Sequence, residues 1–314
     1  GNLHLFLKTR IEPATSKEAM EKFQGGGSCE SFPVEPTLAL SLVLPYLPVF
    51  ERLSMSEVST SMRKAVTLDV LPWIHNVFDS PISYRLTDES LLKIASKSDG
   101  RMISLTLINC FKITDQGLQT VSGNNPFLCQ LHLPGCTGIT PEGIIAAVKT
   151  LKKTLNSLQI NGISSIKSHH LAEISECMQI STKRVKTKPV FYNRSRCGGI
   201  GRAIDVDVCP RCGEVRMVYD CTREKCTNCR GCKYCVARCE ECGGCVDAMG
   251  EPIEETACSD VLCSECWIKL PKCNLCNKPY CGRHGSRRLR KGGLGFVCEG
   301  CDWDARVCTD SDLP

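Results

Sequence analysis

Residues 226–245 read CTNCRGCKYCVARCEECGGC and place seven cysteines in twenty positions, nearly all at a spacing of three. A Cys-x-x-Cys step brings two thiolates onto one turn, where they can share a tetrahedral metal ion. Such steps recur from Cys209 onward. They are Cys209/Cys212, a run through Cys226, Cys229, Cys232 and Cys235, then Cys239/Cys242/Cys245, Cys263/Cys266, Cys273/Cys276, Cys281/His284 and Cys298/Cys301, with Cys221 standing apart. Twenty of the 25 cysteines lie at or after Cys197. The opening GNLHLFLKTR lacks the order of a secretory signal, so a reducing nucleus or cytoplasm is expected. There, clustered thiols hold metal rather than form disulfides.

The residues named in these steps, together with Cys221, are read as ligands for about four or five zinc ions, four ligands to each. A closed thiolate tetrahedron has no open position for activating water, so the chemistry is structural. Metal–thiolate bonds stand in for a hydrophobic core in a loop-rich region. The pairing stays open. The last four pairs supply enough ligands for two sites, either interleaved (first with third, second with fourth) or sequential. The eleven cysteines from Cys209 to Cys258 fall one short of three sites, and Cys197 would complete that count.

Outside the thiols no catalytic set stands out: there is no Ser/His/Asp order and no carboxylate pair in a recognisable context. A net charge of +5 is too mild to mark a nucleic-acid binder. The cationic run RHGSRRLRKGG at 283–293 reads as a solvated loop, because no finger helix or aromatic platform accompanies it. The longest apolar run, LALSLVLPYLPVF, is too short and proline-rich to cross a membrane.

The earlier chain must supply the remaining framework. Residues 1–32, with QGGGS, read as a mobile leader. In 33–80, Leu40, Val43, Leu44 and Leu47 recur at i, i+3, i+4 and i+7, one helix face that Pro45 either kinks or stops at Leu44 and that Pro48 must end. Met55, Val58, Met62 and Val66 mark a second amphipathic helix, and Trp73 a core anchor. Residues 81–180 repeat. LTLINCFKITDQGL from Leu105 returns as LHLPGCTGITPEGI from Leu131, and LQINGISSIKSHHL from Leu158 keeps the apolar skeleton. RLTDESL from Arg85 is the tail of an earlier unit. The period of 26 or 27 residues and the Leu-x-Leu step indicate leucine-rich repeats, each a short strand followed by a helix. Thr87, Thr114 and Thr140 sit where helix N-caps belong, and Cys110 and Cys136 at inward positions. A basic linker (181–204), the metal module (205–301) and a tail (302–314) complete the chain. The expected class is multidomain α/β: a helical domain, a short strand–helix solenoid and a zinc-stabilised module.

Residues 35–80 resemble an F-box through Pro36, Val43, Leu44, Leu47, Pro48, Glu51, Leu53, Val58, Met62, Arg63 and Trp73. Glu35, Arg52 and Ser59 stand where that family carries Leu, an apolar residue and Cys. An F-box, cysteine-containing leucine-rich repeats and a Cys-rich tail, in that order, resemble a group of plant Skp-interacting F-box proteins. The resemblance implies a non-catalytic receptor of an SCF ubiquitin ligase. Pro36, Leu40, Val43, Leu44, Leu47, Pro48, Leu53 and Val58 would then dock on a Skp adaptor, and through it on cullin. A distal surface would hold a target protein. In leucine-rich repeats that surface is the concave face, where Thr106, His132 and Gln159 form a polar column with Gln130 beside it. Three strands span only about 10 Å, so the metal module is expected to enlarge the face or bind the target itself. Two other classes stay in view: a RING-like ligase in its own right, with Leu262 and Trp267 as apolar surface, and a zinc-dependent nucleic-acid binder.

Overall fold

The computed structural model describes residues 43–180, 189–192, 202–224, 226, 228–246, 254–289 and 295–303. The leader, Pro36, Leu40, Cys197, most of the linker and most of the tail lie outside the described residues. At the N-terminal end Pro45 starts a single 3-10 turn, Leu44–Tyr46, and the chain re-enters helix after Pro48. Where one amphipathic helix was expected across Met55–Val66 there are two: α1, Val49–Met55, and α2, Thr60–Leu68. The break is chemical. Ser59 is extended, and its hydroxyl accepts the amide of Met62, which makes it an N-cap rather than a helix interior residue. Met62 and Val66 point into the core, whereas Val58 lies in the turn, exposed.

Four parallel strands follow in sheet order: β1 His75–Phe78, β2 Ser104–Leu107, β3 Gln130–His132 and β4 Ser157–Gln159. Each is followed by a helix: α3 Asp88–Ala95, α4 Asp115–Asn124, α5 Pro141–Thr150 and α6 Ser168–Cys177. Leu105, Leu131 and Leu158 are in register and fully buried beneath these helices. Strand alternation turns Thr106, His132 and Gln159 to the opposite face.

Neighbouring units are tied through the threonines at the helix N-caps. The Asp88 carboxylate accepts the Thr114 amide (3.0 Å) and hydroxyl (2.5 Å), and Asp115 does the same for Thr140 at 2.8 and 2.6 Å. A Cβ at Gly117 or Gly143 would run into those carboxylates, which is why both units carry glycine there. Thr87 and Thr140 also cap their own helices through Ser90 N and Gly143 N, while the Thr114 side chain makes no such cap. Pro141 stands where the aspartate would be in the next unit, and the ladder ends.

β1 lies within the stretch read as the helical domain, yet it pairs with β2. Its inward position holds Asn76 where the other strands hold leucine. Asn76 is fully buried because its side chain donates to Trp73 O (2.8 Å) and accepts from Arg52 Nη1 (3.0 Å). Arg52, equally buried, also donates to the carbonyls of Leu44 (3.2 Å), Leu47 (2.8 Å) and His75 (2.9 Å) and lies 5.0 Å from the Trp73 ring. Burial brings its pKa down to about 10, which leaves it charged. One apolar core therefore runs from Leu44 through the repeats to Val206, with no break at residue 80.

The far edge of the sheet is closed by the end of the basic linker. Leu158 N donates to Ala203 O (2.7 Å), and Asp205 accepts the amides of Ile160 (2.8 Å) and Asn161 (3.2 Å). Burial raises the Asp205 pKa to about 6 against those two amides. Beyond it a small hairpin, β5 Asp207–Val208 with β6 Val215–Arg216, opens the thiol-rich region, which also carries α7, Ser264–Lys269.

Candidate functional site

The thiol-rich region gathers its donors into five sets of four: Cys209, Cys212, Cys232 and Cys235; Cys221, Cys226, Cys229 and Cys245; Cys239, Cys242, Cys263 and Cys266; Cys258, Asp260, Cys281 and His284; Cys273, Cys276, Cys298 and Cys301. Within each set the donor atoms lie within 4.8 Å of one another. All of these cysteines are free. The sulfur separations are 4.0 Å for Cys212–Cys232, 3.7 Å for Cys221–Cys245, 3.6 Å for Cys226–Cys245, and 3.8 Å for Cys242–Cys263 and Cys276–Cys298. A disulfide needs about 2.05 Å. A zinc tetrahedron with bonds of about 2.3 Å has edges of about 3.8 Å, so the donors fit a metal.

Local backbone prepares these sulfurs. Cys232 N points at Cys209 Sγ (3.4 Å), Leu275 N and Cys298 N at Cys273 Sγ (3.4 and 3.3 Å), and Cys281 N at Cys258 Sγ (3.5 Å). Burial pushes the Cys209 and Cys273 thiols up, but these amides outweigh it and bring both down to about 6. Cys239 is held at about 4, chiefly by the hydrogen bond from Cys242. A thiolate is the form that binds metal. Arg238 steadies the second set: its buried guanidinium donates to the carbonyls of Tyr219 (2.8 Å) and Cys229 (2.7 Å) and meets Cys229 Sγ at 3.8 Å.

The pairing differs from both schemes the spacing allowed. Cys273/Cys276 joins Cys298/Cys301, as interleaving requires. Cys263/Cys266, however, joins Cys239/Cys242, and Cys281/His284 joins Cys258 and Asp260. The late pairs and the early cysteines are not separate halves. Each set straddles the first ligands of the next, so the five sites interlock along the chain. Two donors, Cys258 and Asp260, were absent from the sequence-derived ligand set. Their signal is the CSD step at 258–260 and the arithmetic that the ligands assigned from sequence leave five tetrahedra two donors short. Asp260 is placed by Arg283, whose Nη2 lies 2.8 and 3.0 Å from its two oxygens. Asp260 Oδ2 lies 2.9 Å from His284 Nδ1 and 3.0 Å from Cys281 Sγ.

Among the residues expected at an adaptor surface, Val43 and Val58 are exposed and Leu47, Pro48 and Leu53 half-buried. Leu44 is corrected to a core residue: the 3-10 turn begun by Pro45 turns it inward, where it is fully buried, and leaves Tyr46 72% exposed. Phe50 joins Tyr46 on the outside, and neither was singled out from the sequence. Leu262 is likewise buried rather than surface and Trp267 is half-buried, whereas Ile268 and Leu275 are exposed.

Thr106, His132 and Gln159 stand in register on one face of the sheet. Thr106 pairs with His132 and His132 with Gln159, with Gln130 exposed one step along β3. His132 lies between Thr106 Oγ1 (3.5 Å from Nδ1) and Ser157 Oγ (3.0 Å from Nε2), and burial lowers its pKa, which keeps it neutral. Part of the column's hydrogen-bonding capacity is therefore used internally.

The family model described as At3g27290 F-box protein C-terminal domain matches residues 205–275. Three Arabidopsis thaliana proteins align along most of the chain. F-box protein SKIP28 is 40% identical over 282 residues, covering 85% of this chain and 90% of that protein. F-box protein SKIP14 is 32% identical, covering 76% and 55%, and F-box protein At3g27290 is 31% identical, covering 72% and 65%. A chain from the crystal structure of the yeast Rad7 and Elc1 complex aligns at 14% identity over 44% of this chain and 37% of that one. Its TM-score of 0.31 is too slight a likeness to bear on the fold.

Proposed function

The chain belongs to the family of plant F-box proteins, and from that premise we propose that it is a substrate-recognition subunit of an SCF-type ubiquitin ligase. The observation that carries the reading is a group of outward apolar residues at one end of the continuous core: Val43 and Tyr46 at the 3-10 turn, Phe50 on α1 and Val58 in the turn before α2. In water such a set is a liability, and against an adaptor it is an anchor. The core that begins there continues into the polar sheet face, which with the metal module presents a target. The role requires binding surfaces and no catalytic group.

Five zinc ions are proposed for the module, four in all-thiolate sites and one held by Cys258, Asp260, Cys281 and His284. The sulfur separations near 3.8 Å support this. When bound, the metal supplies folding free energy.

A second reading, a RING-like ligase, draws on one feature. The third and fourth donor sets interleave as a cross-brace, and Ile268, two residues after Cys266, is exposed. The interleaving continues into the second and fifth sets, which a two-metal cross-brace does not need, so the receptor reading is preferred.

The test is a binding assay of the purified, metal-loaded chain with a plant Skp adaptor. Wild type should bind. Tyr46→Asp with Phe50→Asp should reduce binding by about a hundredfold, as loss of central anchors does, with melting unchanged. Wild-type protein with no affinity for any Skp adaptor overturns the reading, and polyubiquitin synthesis by the isolated chain with a conjugating enzyme favours the second.

A further inference from the structure

A cleft of about 500 Å³ lies where the end of β4 meets the first thiolate set. Residues 161–164 and Lys167 form one wall, and residues 214–217 with Lys233 and Tyr234 form the other. Both walls are pinned. The Asp205 carboxylate takes the amides of Ile160 and Asn161 on one side. On the other, the β5–β6 hairpin leads from Cys209 and Cys212 toward Cys232. Lys167 Nζ reaches Glu214 Oε2 at 3.2 Å across the gap.

That ion pair neutralises the one carboxylate lining the cleft, which leaves Arg216 and Lys233. Both head groups lie over the same ring: the Arg216 guanidinium is 4.5 Å and the Lys233 ammonium 5.0 Å from the centre of Tyr234, itself 71% exposed. Among the described residues neither has an acidic partner or a thiolate within hydrogen-bond reach. Two like charges on one ring repel, and the ring returns only about 0.5–1 kcal/mol to each at an exposed site. An anion between them reverses the sign of that interaction, and the guanidinium fork suits a carboxylate.

We propose that this cleft binds an acidic peptide stretch of the target protein, a carboxylate lying between Arg216 and Lys233 beside Tyr234. The proposal rests on the receptor reading and deepens it. Ile163, Val215 and Met217 line the same cleft and suit the apolar parts of a peptide rather than a bare inorganic anion. Asn161 follows Gln159 by two residues, so the column Thr106–His132–Gln159 leads into the cleft. The added surface supplies what three strands lack.

The experiment uses the full metal-loaded chain and fluorescence anisotropy with a labelled glutamate-rich decapeptide, its glutamine counterpart and a single-stranded oligonucleotide. The glutamate peptide should bind, more weakly as salt rises, and the glutamine peptide should not. Arg216→Gln with Lys233→Gln should weaken binding by about tenfold or more, the loss expected for two charge-assisted bonds, with metal content and circular dichroism unchanged. Equal binding of both peptides, an unaffected double variant, or preference for the oligonucleotide overturns the proposal. Adaptor capture on the same samples separates the two readings. Intact capture with no peptide binding removes the cleft alone. Peptide binding with no capture removes the receptor role and leaves the ligand class standing.

Discussion

From Leu44 to Val206 the molecule is held by one continuous apolar core, whereas from Cys209 to Cys301 it has five sets of converging donors with only small buried clusters between them. The two regions answer different packing problems. Strand–helix units bury a row of leucines under a row of helices, so each unit adds to its neighbour's core. The thiol-rich loops have too little regular structure to do this, and their buried residues are largely the sulfurs themselves. Stability is spread over many contacts in the first region, and with the proposed metal bound it would be concentrated at a few points in the second. Both use a buried arginine to gather backbone carbonyls, Arg52 in one and Arg238 in the other.

Metal removal should separate the regions most sharply. Structural zinc contributes about 10–16 kcal/mol per site in small fingers, as much as the whole stability of a typical domain. A strong chelator should unfold residues 205–301 while amides of β2 and β3 stay protected in hydrogen exchange. Equal loss of protection at Leu105–Leu107 would show that the regions form one cooperative unit. Because the donor sets interlock, sites should be lost in groups rather than singly.

Arg52 tests the first region. Arg52→Leu installs the apolar residue its family carries but strips donors from the carbonyls of Leu44, Leu47 and His75 and from Asn76. The expected cost is about 3–5 kcal/mol, read from urea unfolding. Adding Asn76→Leu should recover part of it, since that strand then matches its neighbours. Strictly additive costs would show the two positions to be uncoupled.

A smaller effect is expected at the mixed site. Asp260→Ala should lower metal content by about one ion of five, by elemental analysis, while Asp260→Cys restores it. Unchanged content in the alanine variant would make Asp260 a neighbour of the site rather than a ligand. The smallest effect contrasts two glycines. Gly143→Ala pushes against the Asp115 carboxylate and should cost about 1–2 kcal/mol, whereas Gly123→Ala meets nothing within 4 Å and should stabilise α4 by about 0.5–1 kcal/mol. Equal shifts in melting would remove the inter-unit ladder as a stabilising feature.

Much of this architecture is legible in the residues alone. Leu-x-Leu followed by a threonine at a near-constant period of 26 or 27 residues specifies strand and helix start, because each signal acts within a few residues. Cys-x-x-Cys marks donors that could share a metal ion for the same reason. What spacing leaves undetermined is which pairs share an ion: the pairs are chemically equivalent, and only the path of the loops in space distinguishes them. Asp260 was hidden because a carboxylate is ordinarily a surface residue, and becomes a candidate ligand only when Cys258, Cys281 and His284 converge on it. β1 was hidden because Asn76 breaks the Leu-x-Leu pattern. A polar side chain reads as outward until a partner 24 residues away, Arg52, makes its burial tolerable. The inward turn of Leu44 was decided in the same way, by a proline-started turn whose direction is set by the core it packs against.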